Sequence, residues 1–494
     1  MKEILQSKYA RFFMAGLVLN IICAWFSKGF YHPDEHYQIL EFCNYKLGNA
    51  TAASLPWEFT QKMRASLLPY IAYLLARFMQ LCGFYNPFTL AFLLRLFTGI
   101  ITWFVVSKFC LLMCKKFKSP KAEKLFILMS FLLWFIPFLS VRFTAENISG
   151  LLLLYGLYLI LQNNEKANNS LKTYIIAGFL FGISFFIRFQ MAFALVGVIG
   201  WLIFVKKIKF KYLAILTLSA LIAIGSNILL DYLFYGEIIF TPYNYYYANI
   251  ILHKAADFGV NPWWFFFTEF ITKAAPPISI VLLIMFFAGL VKNYKTDPAV
   301  WILIPFIFLH FLTPHKELRF LFPALFLFIY CAALGFDYFM EKPFYQKIHP
   351  YVYTVSLIIC IPLLIYQTMV PPQTSVCYTR FLYDNVPEKG TVLLVLNKDY
   401  DMTVSGLCEG IYKPAKLSIV KIDSLPLLTE YIQNKQLKTA LFMTKENINP
   451  DSIIKGYKAE IVYCFYPSWV LKFNINNWES RSSIWRIYQI SKTD

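Results

Sequence analysis

Apolar runs of membrane-crossing length recur along this chain from Phe12 to Val370, and few architectures tolerate that pattern. In hydrocarbon no water is present to pair a backbone N–H or C=O, so each run must satisfy its own backbone. Only helices and closed barrels do so, and runs this long are helical. A soluble enzyme with a greasy core is the alternative. It is excluded because 58% of residues are hydrophobic and 15% charged, whereas soluble domains carry roughly 45–50% and 25%. The expected fold is a polytopic α-helical membrane protein.

The formal net charge is +18, which raises nucleic acid as a partner. The basic residues nevertheless form no single face. They fall in short runs between apolar segments: Lys115, Lys116, Lys118, Lys121 and Lys124, then Lys206, Lys207, Lys209 and Lys211. Cytoplasmic loops hold orientation in this way, so no nucleic-acid partner is expected. Lys2, Lys8 and Arg11 precede the first apolar run without a small-residue cleavage site, which reads as a retained signal anchor.

Orienting the chain by these runs gives about 11 spans, near 12–26, 88–113, 125–140, 147–161, 174–187, 190–205, 212–235, 265–291, 299–312, 320–338 and 351–370. Segment 66–83, broken by Pro69 and carrying Arg77, is expected to lie in the interface or dip partly inward. The map places five polar segments on the non-cytoplasmic face: Tyr31–Gln38, Val141–Asn147, Arg188–Gln190, Phe240–Asn249 and Thr313–Phe320. Their convergence predicts one site at that face. Residues 1–370 form the membrane domain in this reading, and 371–494 form a small α/β domain on the same non-cytoplasmic side. Strands are expected at Thr391–Leu396, Leu417–Lys421, Thr439–Met443, Ile461–Phe465 and Ser483–Ile490, with a helix over Ser424–Asn434 capped by Ser424. The ten cysteines show no CxxC pair and no metal-ligand spacing; a disulfide among Cys377, Cys408 and Cys464 stays open.

Chemistry concentrates in a few segments. Tyr31-His32-Pro33-Asp34-Glu35-His36-Tyr37-Gln38 puts two carboxylates between two histidines after a turn-setting proline. One carboxylate there is suited to act as general base toward an acceptor hydroxyl. The same residues also read as a capped interfacial loop, with Asp34 at a helix start. Metal binding by His32, His36 and a carboxylate ranks lower, because no further ligand set is apparent. In Thr313–Phe320, His315, Lys316 and Arg319 fall within one helical turn and suit a phosphate or diphosphate. A snorkelling basic anchor is the bland alternative. Arg142, Glu146 and Arg188 are charges at span ends and therefore functional candidates, although Arg188 also suits pairing with a neighbouring carboxylate. Glycine-rich phosphate loops, HExxH and GxSxG are absent from the sequence. An enzyme built this way needs an activated substrate delivered by the membrane, and a lipid-phosphate-linked sugar meets that need.

These segments resemble the α-mannosyltransferases of glycosyltransferase family 22, which extend the GPI anchor and the N-glycan lipid precursor. His32-Pro33-Asp34-Glu35 is similar to the HPDE signature of the family's first loop. Trp57-Glu58 with Arg64, Ser66 and Pro69 resembles its second block, and Asp231–Gly236 with Thr241-Pro242-Tyr243-Asn244 a third. His315-Lys316-Glu317-Leu318-Arg319-Phe320 is similar to its HKExRF block. The resemblance implies the GT-C glycosyltransferase fold, a polyprenyl- or dolichyl-phosphate mannose donor, a glycan or glycolipid acceptor, and no bound nucleotide; no cofactor and no metal-ligand residues are expected, with a divalent-metal requirement left open. By the same resemblance Asp34 or Glu35 is the base of an inverting displacement. His32, Arg142, Arg188, His315, Lys316 and Arg319 attend the donor phosphate or substrate. Trp57, Glu58, Arg64, Tyr243 and Asn244 are the candidate acceptor or sugar contacts. The Lys-rich, Arg-poor style points to a bacterial inner membrane with a periplasmic site, the ER lumen being the alternative, and a tail without the family's usual eukaryotic terminal run leaves the acceptor open. Two other functions are consistent with such a chain: the same chemistry on a different lipid-phosphate-linked sugar, and a lipid-linked-glycan transporter or flippase. A transporter favours polar residues at mid-membrane and two related halves, and neither is seen in the sequence.

Overall fold

In the computed structural model the described residues are 1–165, 170–386, 391–400, 404, 407–408, 410–414, 417–448, 454, 456–482 and 484–492. Among the described residues, five helices are long and apolar enough to cross a membrane: Pro87–Lys116, Ala145–Asn163, Phe210–Tyr235, Leu318–Met340 and Pro343–Met369. A sixth candidate is the pair Ile278–Asn293 and Pro298–Phe311, bent by 117°. Shorter apolar helices cover Ala10–Phe26, Leu67–Leu81, Leu171–Ile187 and Met191–Val205. The chain is a multi-pass membrane protein. Proline and capping chemistry decide where several runs break. The expected span at 265–291 is two helices, Phe265–Lys273 and Ile278–Asn293. Between them Pro276 and Pro277 lack the N–H that an uninterrupted helix requires. The expected 125–140 span is likewise divided, into Pro120–Leu132 and Ile136–Ser140, with Leu133 extended between the pieces. Leu67–Leu81, at 15 residues, is about 22 Å long by helical rise and falls short of the hydrocarbon thickness.

The polypeptide divides into two units. The first comprises Met1–Ser27, Ala52–Phe78 and Leu90–Val370. Its helices meet where glycine removes the side chain. A Cβ on Gly178 would stand 2.2 Å from the Leu216 carbonyl oxygen, and one on Gly197 2.2 Å from that of Trp301. Gly289 and Gly335 face each other's helices, with such a Cβ 1.9 Å from the Cys331 oxygen and 1.8 Å from the Met285 oxygen respectively. Small residues let helices in lipid approach closely, where dispersion and not hydrophobicity holds them. Gly289→Ala is accordingly expected to force Ile278–Asn293 away from Leu325–Met340. The cost is about 1–3 kcal/mol, as for other overpacked cores, read as a lower melting temperature in detergent. The outer face shows the opposite pattern. Only 6% of the apolar window in Pro343–Met369 is buried, and Ile358, Ile361 and Ile365 are exposed, as expected of a helix whose solvent is lipid.

The second unit comprises Lys28–Thr51, Met79–Thr89 and Pro371–Asp494. It carries a five-stranded sheet of β1 (Thr391–Leu396), β2 (Leu417–Ile422), β3 (Thr439–Thr444), β4 (Tyr457–Cys464) and β5 (Arg486–Lys492), in the order β2-β1-β3-β5-β4. β1 pairs in parallel with β2 and β3, whereas β5 pairs antiparallel with β3 and β4. Alternation along the strands builds two cores. Leu394, Leu396, Phe442 and Tyr488 pack with Leu428 and Ile432 of helix Leu425–Asn434. Leu393, Val395, Met443 and Ile487 pack with Tyr378 and Leu382 of helix Ser375–Asn385. Ser424 occupies the N-cap position, but its side chain makes no capping hydrogen bond. β4 begins four residues before the expected Ile461 because Lys458 and Glu460 interrupt the apolar signal; such charges blunt an edge strand. Ser483, the expected start of β5, lies outside the described residues. All ten cysteines are free thiols, so no disulfide joins Cys377, Cys408 and Cys464.

Candidate active site

The candidate residues divide between the units. His32, Asp34 and Glu35 belong to the second. Arg142, Arg188, His315, Lys316, Arg319, Trp57, Glu58, Arg64, Tyr243 and Asn244 belong to the first.

In the second unit the loop turns into a short helix, Pro33–Glu35. His32 is its N-cap in extended conformation, and its Nδ1 accepts from the Asp34 N–H at 3.3 Å. Proline at the first position has the φ the helix needs and no N–H to waste. The Asp34 carboxylate stands 3.4 Å from His32 Nδ1, both side chains being half-buried. Glu35 Oε1 accepts from the Tyr31 N–H at 3.2 Å, which ties that carboxylate to the chain entering the turn. His36 is buried, lies flat between Phe30 and Tyr412, and brings Nε2 to 2.9 Å from Glu41 Oε1. Glu41 Oε1 also accepts the Ile411 N–H at 2.8 Å. The two histidines that flank the carboxylates therefore do different work: His32 caps, while His36 is packed into an aromatic stack. Among the described residues, no group of three or more His, Cys, Asp or Glu is placed to hold a metal ion.

In the first unit a buried carboxylate organises the cationic groups. Glu146, in the first turn of Ala145–Glu165, accepts on Oε1 from Arg188 Nη1 at 2.7 Å and from Arg319 Nη1 at 3.1 Å. Arg188 occupies the extended C-cap of Leu171–Ile187. Arg319 is held in turn by Glu317 through Nε–Oε2 at 2.6 Å and Nη2–Oε1 at 3.2 Å, the forked geometry a guanidinium favours. His315 Nε2 lies 3.2 Å from Glu317 Oε1. Both guanidiniums lie over the Phe320 ring, at 5.3 and 5.4 Å. Arg188, 5% exposed along its side chain, has no hydrogen-bond partner for Nε or Nη2 among the described residues.

The expectation that His315, Lys316 and Arg319 share one helical turn is not met. Residues 313–317 form an irregular loop, and a 3-10 turn begins only at Leu318. Lys316 is buried, and its ammonium donates to the carbonyls of Asn261 at 3.0 Å and Thr313 at 2.5 Å. Burial pulls that ammonium below the usual lysine range. Lys316 thus fastens this loop to the chain at Asn261, whose side-chain oxygen also accepts the Lys316 N–H. Arg142 is buried over Phe138 and donates to the Ser27 carbonyl at 3.1 Å. Asn147 closes that same turn by donating to the Leu139, Ser140 and Arg142 carbonyls.

The remaining candidates lie on the two segments that Asp231 joins, by accepting from the Ser66 N–H and Oγ–H and from Thr241 Oγ–H at 2.6–3.0 Å. Asn244 donates to the Lys62 carbonyl at 3.1 Å, and Glu58 pairs with Arg64 at 3.3 Å. Trp57 stacks on Phe258, while Tyr243 is 57% exposed. Two residues carry more of this arrangement than the sequence reading assigned them. Glu146 was one of several charges at span ends, and its bridging role depends on Arg188 and Arg319 far away in the chain; Glu317 sat inside the basic block and pairs with His315 and Arg319, each two residues away.

The fold has known counterparts. ArnT from Cupriavidus metallidurans, solved bound to undecaprenyl phosphate, aligns over 98% of both chains with a TM-score of 0.57 at 9% identity. An oligosaccharyltransferase from Archaeoglobus fulgidus aligns over 88% of this chain and 68% of its own, with a TM-score of 0.50 at 11% identity. The fold is therefore the GT-C one. In sequence, GPI mannosyltransferase 3 of Candida albicans is 26% identical over 317 residues, 63% of this chain and 61% of its own length. Mannosyltransferase APTG1 of Arabidopsis thaliana is 23% identical over 325 residues, 64% of this chain and 56% of its own. The chain thus spans about three-fifths of the curated relatives it matches. The Alg9-like mannosyltransferase profile covers residues 11–383, from the first apolar helix through the Asp34 turn, the Glu146 network and the Lys316 loop. By that match the chain belongs to the Alg9-like mannosyltransferase family.

Proposed function

We propose that the protein transfers mannose from a polyprenyl- or dolichyl-phosphate donor to a lipid-linked or cell-envelope glycan, with inversion at the anomeric carbon. The acceptor hydroxyl oxygen forms a bond to that carbon while the bond to the phosphate oxygen breaks and its electron pair stays on the phosphate. Asp34 takes the hydroxyl proton, with His32 beside it. Glu35 is the less suited base, since its carboxylate caps the turn. Arg188 and Arg319, with His315, offset the charge that develops on the leaving phosphate. Trp57 and Tyr243 offer ring faces to the sugar or the prenyl chain, on a segment braced by Glu58, Arg64 and Asn244. Arg142 and Lys316 position the surrounding loops. The donor arrives already activated, so the reaction needs neither a nucleotide nor another bound cofactor. In this reading the Asp34 turn faces away from the cytoplasm, on the periplasmic side of a bacterial inner membrane. A eukaryotic setting places it in the ER lumen.

One observation carries the phosphate assignment: two nitrogens of buried Arg188 lack partners among the described residues. A buried guanidinium that leaves N–H groups unsatisfied is costly unless a ligand completes it. Family membership supplies the sugar chemistry. The test is transfer of labelled mannose from synthetic polyprenyl-phosphate mannose by the purified protein into total lipid and glycan extract. Labelled product that requires the phosphate-linked donor supports the reading. Activity with a different lipid-phosphate sugar and none with mannose would replace the donor. Leaflet-to-leaflet movement of a lipid-linked glycan in reconstituted vesicles, without any transfer, would favour a flippase.

A further inference from the structure

The second unit contains a cavity of about 530 Å³ that none of the proposed chemistry uses. Its wall takes Asn49 from the first segment, Tyr85 from Met79–Thr89, Tyr383 from helix Ser375–Asn385, and Lys413 and Pro414 from beyond β1. The volume is within the range of small-ligand pockets, roughly 300–1,000 Å³. Four of its polar groups are uncommitted: among the described residues the Tyr85 and Tyr383 hydroxyls, the Asn49 side-chain amide and the Lys413 ammonium have no hydrogen-bond partner, whereas Asn44 on the same wall donates to Glu41. Burial pushes both phenols up, so they stay protonated donors across ordinary pH.

These groups specify a class of ligand. Phenol and amide groups both donate and accept, as a polyhydroxylated ring requires, and the tyrosine rings supply apolar faces for its C–H groups. A single ammonium is too little charge for a nucleotide or diphosphate, which calls for several cations or a guanidinium fork. The uncommitted polar groups make the cavity equally unsuited to a prenyl chain.

The cavity is also wired to the turn that carries Asp34. Tyr383 meets Phe88 edge-on at 5.5 Å, Phe88 stacks on Tyr412 at 4.4 Å, and Tyr412 stacks on His36 at 5.4 Å. Ile411, on the cavity wall, donates its N–H to the same Glu41 oxygen that His36 contacts. His36 directly follows Asp34 and Glu35 in the chain. A ligand seated against Tyr383 and Ile411 therefore rests on the scaffold that orients the proposed base.

We infer that this cavity binds the saccharide portion of the acceptor, holding already-built sugar residues so that the next hydroxyl is presented in register. The inference rests on the proposed glycosyl transfer for its purpose, but not for its binding test.

Saturation-transfer NMR on the full chain in nanodiscs, with short manno-oligosaccharides and matched gluco- and galacto-oligosaccharides, reads binding directly. A saturable signal is expected from at least one series. The double variant Asn49→Ala/Tyr383→Phe should weaken it about tenfold or more, the change that two lost hydrogen bonds can produce. Lys413→Ala, at an exposed position, provides a second variant that leaves the core untouched. No saturable signal from any series, or wild-type affinity in both variants, overturns the inference. Release of mannose from polyprenyl-phosphate mannose to water by the wild type reads the donor side separately. Donor turnover without saccharide binding sinks the cavity assignment alone. Saccharide binding without turnover of any lipid-phosphate sugar sinks the transferase reading and leaves the cavity.

Discussion

Asp34→Asn is expected to lower the transfer rate by about 10²–10⁴-fold, the range that a positioned general base contributes. The substitution keeps size and shape, removes the proton acceptor, and leaves the His32 cap on the Asp34 N–H intact. Melting temperature and donor KM should therefore stay near wild type while kcat falls. Glu35→Gln is the informative comparison. An amide oxygen still accepts from the Tyr31 N–H, the bond that Glu35 Oε1 makes now, so its loss of rate should be far smaller. If Asp34→Asn retained activity within tenfold of wild type while Glu35→Gln lost it, the base assignment would move one residue along the chain. If neither substitution slowed transfer, the turn would have no catalytic role.

Arg188→Ala should combine a kinetic and a structural defect. Glu146 keeps Arg319 as a partner but loses its 2.7 Å bond to Arg188, in surroundings where both side chains are less than one-tenth exposed. Breaking a buried pair from one side costs about 3–5 kcal/mol, and the second arginine should hold the loss toward the lower end. The rate should fall about 10²–10³-fold, as when one donor to a developing charge is removed. Arg188→Lys separates the two effects. An ammonium can replace the single bond to Glu146 and recover much of the melting temperature. It cannot supply the remaining guanidinium N–H groups, so transfer should stay low. Full recovery of rate in Arg188→Lys would show that a point charge suffices and would remove the forked phosphate contact from the mechanism. Recovery of neither would make Arg188 a structural residue only.

What was legible in the sequence is what short-range chemistry dictates. Thr391–Leu396 is a strand because its β-branched and leucine residues leave no helical period, and the observed β1 has those bounds. Phe210–Tyr235 is a span because its length and hydropathy suffice, and Gly236 ends it in the left-handed conformation that glycine adopts without strain. Proline after His32 sets the turn that presents Asp34. The motifs around Asp34 and Lys316 likewise carried the family resemblance unaided. The breaks at Ala274–Pro277 and Leu133–Phe135 were harder to see, because apolar character runs through them while the backbone does not.

Partnership was decided by tertiary structure alone. Glu146 meets Arg188 and Arg319 from 42 and 173 residues away, and Lys316 reaches Asn261 across 55. Within the second unit, Glu41 holds Ile411 across 370 residues. A residue's type shows that a charge must be satisfied, since an unpaired one costs several kcal/mol in a low-dielectric interior. It does not show by what, because helices packed through glycine contacts bring together segments that no period or spacing relates. That is why Lys316, one of three cations in a single short block, became a fastening for its loop, while Arg188 and Arg319 came to share a carboxylate.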